Sequence, residues 1–260
     1  MLMSPLFSKP RLALAVAAIT GAITASLPAQ ITEWPTTVEP GRFLLEADVV
    51  SLTWDRTGSD RFKGWGVGST FVSTGLTENW DVQLGVELFV SQEYESAGIR
   101  ERYSGLGDVY VRTKWRICDD AERGFSAALL PYVKIPTNTG GVGNDFVEGG
   151  ITLPWEVSLV GDWTLNAMAD VSFYRNERDD GYSTYWFTSA TVGRSLSRDW
   201  GAYAEVAIAK PAGSAPWETI LGVGVNWHLT ENFSWDFALY RGASHAAPDW
   251  HPVIRLVAGF

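Results

Sequence analysis

The sequence predicts an all-β fold, a transmembrane antiparallel up-and-down β-barrel of twelve strands, and three observations carry that prediction. Segment after segment alternates apolar and polar residues one by one, the period of a strand whose two faces meet different surroundings. The chain is 46% hydrophobic and holds 13 Trp in 260 residues. Past its leader it nevertheless has no run of the roughly 18 continuous apolar residues that a spanning helix needs. Its connections alternate between tight and long, as in outer-membrane barrels with short periplasmic turns and longer outer loops.

The chain is expected to start with a leader. Lys9 and Arg11 give a positive beginning, LALAVAAITGAITASL an apolar stretch, and LPAQ a small-residue cleavage site near Ala29. Residues 1–29 are therefore expected to be a signal peptide and residues 30–260 the barrel. Losing the leader removes two basic residues and no acidic one, moving the formal charge from −10 to −12. That balance argues against a nucleic-acid partner, whose phosphates need basic patches. Cys118 has no partner within the chain, so no disulfide is expected.

The strands follow in order. Residues 42–53 and 65–75 alternate weakly. LTENW at 76–80 then opens a run in which Trp80, Val82, Leu84, Val86, Leu88 and Val90 oppose Asp81, Gln83, Gly85, Glu87 and Phe89. Val109, Val111, Thr113, Trp115 and Ile117 oppose Asp108, Tyr110, Arg112, Lys114 and Arg116. Residues 125–135 are weaker again. Ile151, Leu153, Trp155 and Val157 oppose Glu148, Thr152, Glu156 and Ser158. LVGDW (159–163) leads a strand with Asp170 on its polar face, residues 184–195 form a weaker one, and LSRDW (196–200) leads the next. Thr219, Leu221, Val223, Val225 and Trp227 alternate before LTENF (229–233), and HPVIRLVAGF ends the chain with Ile254, Leu256, Ala258 and Phe260 on one face. In the four related turns the aromatic leads the apolar face, so Trp80, Trp163, Trp200 and Phe233 are expected to form a girdle at the inner membrane interface.

Tight turns are expected at 76–79, 118–124, 160–162, 197–199 and 230–232. Longer polar connections are expected near 55–64, 91–104, 136–145, 175–183, 210–217 and 241–251. Together they join twelve strands with both termini in the periplasm, an even number as in single-chain bacterial barrels. The weak alternation at 42–53 and 125–135 leaves ten or fourteen compatible. A soluble β-sandwich with one wet face per sheet is the alternative; strand length and the terminal Phe260 count against it.

If the apolar face meets lipid, the other face lines a lumen. Glu46, Asp48, Asp81, Glu87, Asp108, Glu148, Glu156, Asp170, Glu205, Glu218 and Asp236 would face inward, with Arg112, Lys114, Arg116, Lys134 and Arg255. Cross-lumen ion pairs filling a narrow interior are one reading. A charged constriction that selects permeants is the other, with Asp81, Glu87, Asp108, Arg112, Lys114, Lys134, Glu148, Glu156, Asp170 and Arg255 as candidates. Pro131 and Pro154 lie inside neighbouring strands, where each removes a ladder hydrogen bond. They are expected to mark a bulge near the outer rim; a seam that opens sideways is the alternative. His228, Ser244, His245 and His251 leave a lipid hydrolase open, although no spacing fixes a Ser–His pair. No HExxH or CxxC spacing occurs, and no metal or cofactor is expected.

STFVSTGLTENWDVQLGVE, SGLGDVYVRTKWRI, LLPYVKIPTNTGG and HLTENFSWDFALYRG resemble segments of an outer-membrane transporter family of the MetA-pathway-of-phenol-degradation type. The resemblance covers roughly half of the mature chain. It implies a bacterial outer-membrane barrel for small organic solutes, aromatic or hydrophobic compounds among them. The closing strand resembles the terminal strand of such barrels, which implies handling by the barrel-insertion machinery through Phe260. The expected partners are thus outer-membrane lipid, that machinery and a small-molecule permeant. A lipid hydrolase and a plugged structural or surface-binding barrel stand as alternatives.

Overall fold

The computed structural model describes residues 31–176, 181–213 and 215–260; the expected signal peptide, 1–29, lies outside them. One antiparallel sheet contains all the strands: β1 (Phe43–Thr57), β2 (Asp60–Thr77), β3 (Trp80–Ser96), β4 (Ile99–Gly105), β5 (Val109–Asp120), β6 (Phe125–Ile135), β7 (Glu148–Ser158), β8 (Trp163–Arg175), β9 (Tyr182–Ser195), β10 (Trp200–Lys210), β11 (Glu218–Thr230), β12 (Phe233–Gly242) and β13 (His251–Gly259). Strands β4 and β5 both pair with β3 and form one stave, interrupted at 106–108. The barrel therefore has twelve staves. It closes where β1 pairs with β13 and where Phe43 and Phe260 exchange backbone hydrogen bonds of 3.1 and 2.9 Å. Closure leaves no open edge around the barrel wall, which a lipid surround requires because water is absent to satisfy open N–H and C=O groups; β4, in the far hairpin, pairs with β3 alone.

The expected faces hold along the regular strands. Leu84, Val111, Trp115, Leu221 and Val223 are exposed outward, while Asp81, Arg112, Lys114, Thr152, Thr191 and Glu205 are buried inward. Two irregularities explain the weak alternation near the start. Register against β13 steps between Asp48 and Val50, so a bulge switches the inward parity of β1 from Asp48 to Thr53 and Asp55. In β2, Gly68 takes φ +67, and the buried side chains pass from Phe62 to Phe71 and Ser73. Each break reverses which residues face in, so a pattern read across it cancels itself.

Two expected loops are strands. Residues 55–64 and 91–104 form hairpins turning at Gly58 and at Ala97–Gly98, both with positive φ. They are polar on both sides because they run past the apolar band into water, so their composition resembles that of a loop. The proline strands also differ from expectation. Arg112 pairs with Tyr132 and Trp115 with Leu129, with the two intervening pairs missing beside Pro131. Ala127 pairs with Trp155 and Leu130 with Thr152, with two pairs missing beside Pro154. Register does not change across either gap, and both lie mid-strand, so neither proline makes a bulge at the outer rim. The bulge of this pair falls instead between Arg116 and Cys118, toward the other end.

The chain before β1 was not expected to enter the barrel. Pro40 bridges to Gly75, where a Cβ would collide with the Val38 and Glu39 backbone. Thr37 Oγ1 donates to the Glu78 carbonyl at the β2–β3 turn (2.8 Å), and the Val38 N–H donates to Asp81 (3.0 Å). From there the segment rises into the lumen, with Glu33, Thr32 and Ile31 almost fully buried.

Candidate functional site

The ascending segment crosses the lumen between two walls. On one side, β5 presents Arg112 and Lys114 in consecutive inward positions. Arg112 Nη1 meets Glu33 Oε1 at 2.8 Å and Lys114 Nζ lies 3.6 Å from Glu33 Oε2. Arg112 also donates to Gln83 Oε1 (2.7 Å) and places its guanidinium 3.9 Å from the centre of the Phe71 ring. Lys114 reaches the Thr36 carbonyl at 3.4 Å. Burial pushes the Glu33 carboxyl upward, but the Arg112 and Lys114 charges and the Arg112 hydrogen bond outweigh it and hold the group below its ordinary value. On the opposite wall, Glu205 of β10 accepts from Ile31 N (3.0 Å), Thr32 N (2.6 Å), Thr32 Oγ1 (2.6 Å) and Tyr240 Oη (2.8 Å). Ser189 and Thr191 hold the Thr32 hydroxyl at 2.8 and 2.9 Å. Backbone N–H groups without strand partners thus find carboxylates, and the segment sits as a stopper between the two walls.

A second charged cluster lies toward the loop end. Lys134 Nζ is 3.2 Å from Asp108 and 2.9 Å from Glu148, and donates to Asn144 (2.7 Å). Asp108 accepts from the Thr137 and Asn138 N–H groups and from Asn138 Nδ2, all near 3 Å. Asn144 and the Arg175 N–H both donate to Glu148. These residues tie the 136–147 loop to the wall. The five charges on neighbouring strands therefore divide in two: Arg112 with Lys114 on the stopper, Asp108 with Lys134 and Glu148 on the loop.

The remaining candidates are spread around the wall. Arg255 pairs with Asp48 at 2.6 Å across the β1–β13 closure. Asp81 takes the Val38 N–H and Gln83 Nε2, Glu87 the Asp108 N–H, and Asp170 the Thr152 and Ser172 hydroxyls. Glu156 is only half-buried near the terminal end and joins neither cluster. Trp80, Trp163, Trp200 and Phe233 are the first residues of β3, β8, β10 and β12, the three Trp exposed outward. Trp80 faces Trp115, and Trp200 stacks on Trp227 at 5.6 Å, partners that the turn motif alone did not name.

Among the described residues, no His meets a Ser hydroxyl: Ser244 accepts the Thr219 N–H, while His251 contacts Thr53 and the Leu52 carbonyl. Sequence reasoning missed Glu33 and the whole stopper. Its available signal was ITEWPTTVEP, a polar stretch with prolines at 35 and 40, standing between the expected leader and the first strand.

A family model described as "Putative MetA-pathway of phenol degradation" matches residues 29–253. Among solved structures, the COG4313 outer membrane channel from Pseudomonas putida F1 is similar with a TM-score of 0.64 at 13% identity, covering 90% of this chain and 100% of that one. The transport unit of the autotransporter AIDA-I from Escherichia coli gives 0.57 at 8% identity, covering 94% and 97%. The NanC porin gives 0.50 at 11% identity, covering 81% and 98%. At such identities the likeness is one of fold. No curated protein sequence matches the chain.

Proposed function

This chain belongs to the phenol-degradation MetA-pathway family matched above, and on that premise we propose that it is an outer-membrane channel for small organic solutes, held shut by its own residues 31–39. The observation that carries the reading is a closed twelve-stave barrel, apolar outside and charged inside, whose lumen contains a segment bound mainly through side chains. A segment held by hydrogen bonds and one ion-pair cluster can leave without unpairing any barrel strand. A wall built as a ladder cannot open so cheaply. The family description supports small aromatic compounds as the solute class, and the apolar cluster around the tip of the stopper supports it independently.

Bilayer conductance of the full chain, compared with a variant lacking residues 31–38 but exported normally, tests the reading. The full chain should be nearly silent and the deletion variant should conduct steadily. A deletion variant that folds, judged by heat-dependent gel mobility, yet stays closed would sink the proposal and favour a plugged structural barrel.

A further inference from the structure

Glu218 differs from every other buried carboxylate in the barrel. It is 2% exposed, yet among the described residues its carboxylate meets no cation and no hydrogen-bond donor, and Oε2 is buried without a partner. Glu33, Asp48, Asp55, Asp81, Glu87, Asp108, Asp170, Glu205 and Asp236 each have at least one. Leaving such a group unsatisfied is costly, so its position calls for a partner that the chain itself does not supply.

The surroundings say what kind. Glu218 opens β11 at the loop end and pairs across with Ala209, which pairs with Phe187 of β9. One inward step further out on β9 stands Tyr185, also 2% exposed, whose hydroxyl has no partner either. Tyr185, Phe187, Ala209, Ile220 and Ala247 belong to one buried apolar cluster, and Tyr174 meets Tyr185 edge-on at 6.2 Å. The Thr219 N–H donates to Ser244, which folds the 243–250 loop over this region and brings Ala247 into it. Ile31, the described tip of the stopper, is part of the same cluster.

We propose that Glu218 and Tyr185 form a recognition site for a small aromatic solute bearing one hydrogen-bond donor, a hydroxyl or an ammonium. The ring packs among Tyr174, Tyr185 and Phe187, and the donor reaches the free Glu218 oxygen with the Tyr185 hydroxyl beside it. A ring without a donor binds more weakly, because it leaves the carboxylate as unpaired as it stands in the ligand-free protein. An ammonium gains further from opposite charge and from the tyrosine faces. The inference rests on the channel reading, since the site lies between the loop end and the stopper.

Equilibrium dialysis of the full chain in lipid nanodiscs tests it, with binding to empty nanodiscs subtracted and phenol, benzylammonium and toluene as probes. Phenol and benzylammonium should bind at least ten-fold more tightly than toluene. Glu218→Leu should weaken both at least ten-fold and leave toluene unchanged. Glu218→Gln, the same shape without charge, should weaken benzylammonium far more than phenol, and so tells which donor the site prefers. Tyr185→Phe should weaken both several-fold. Equal binding of all three probes, or Glu218→Leu and Tyr185→Phe proteins that bind like the parent, would overturn the proposal; a more heat-stable Glu218→Leu protein with unchanged binding would mark the carboxylate as lumen filler. These readings need no conduction. A silent stopper-deleted protein with intact phenol binding would therefore remove the channel and keep the site.

Discussion

Glu33 is the residue on which the closed state turns. Among the described residues its carboxylate is the one acid within ion-pair distance of Arg112 and Lys114, so neutralising it takes the ion pair from two buried cations. Removing one partner of a buried pair costs about 3–5 kcal/mol. That is comparable to what a nine-residue segment gains from its hydrogen bonds at about 1 kcal/mol each. Glu33→Gln should therefore raise the open probability of the full chain toward that of the deletion variant, read as single-channel openings; a variant as silent as the parent would show that the Glu205 contacts suffice. Acid should act the same way. The seated Glu33 carboxyl is held below its ordinary value of 4.5 despite burial, so seating is at full strength above that value and is lost as pH falls through the lowered one. Openings of the parent should rise on acidification below that ordinary value, and Glu33→Gln should lack the part of that rise due to this group. Asp48→Asn strands Arg255 across the β1–β13 closure. It should lower the temperature of the heat-dependent gel shift without opening the lumen.

Strands were legible wherever the two-residue period ran unbroken, because a barrel wall separates lipid from lumen at every position. Trp80 to Val90 and Trp200 to Ile208 show this directly. The period fails at the Val49 bulge and at Gly68, where one backbone irregularity reverses inside and outside. It also misleads at the far hairpins, where water on both faces leaves no apolar side to count. Strand β6 combines features that are legible singly but not together: each proline removes one donor, and the resulting gaps lie on both flanks of the same stave. Amides at 113, 114, 128, 129 and 130 should therefore exchange faster than those along β9–β10, whose ladder runs without interruption from Gly201 to Lys210. Pro131→Thr with Pro154→Thr restores both donors and should slow that exchange. Equal protection of β6 and β10 in the parent would show that the gaps are without consequence. The same double variant tests a sideways exit: slower toluene uptake supports it, and unchanged uptake by a folded variant removes it.

At the scale of the whole molecule, the charge inside the barrel was readable as a list of residues, but its pairing was not. Inward acids follow from strand parity alone. Whether each is paired depends on neighbours up to about 200 positions away, as Glu205 with Thr32 and Arg255 with Asp48 show. The pairing decides selectivity. Arg255 is neutralised by Asp48, and Lys134 by two acids, so the outer cluster keeps a negative excess. Among the described residues, Asp81, Glu87, Asp170, Glu205, Glu218 and Asp236 lie inward with no cation within ion-pair distance. Removing the stopper takes away Glu33, the acid that both Arg112 and Lys114 meet. Water then enters, the carboxylates regain solvation, and the acids outnumber these two bases. The stopper-deleted channel should therefore prefer cations, read as the sign of the reversal potential in a potassium chloride gradient. The preference should strengthen when Arg112 and Lys114 are both replaced by Gln in that background, because the opposing ladder is gone. It should weaken on raising the salt, which screens charges over about 10 Å at 0.1 M and about 3 Å at 1 M. An anion preference in the deletion variant would mean that the Arg112–Lys114 ladder, rather than the surrounding carboxylates, sets the potential at the narrowest point of the pore.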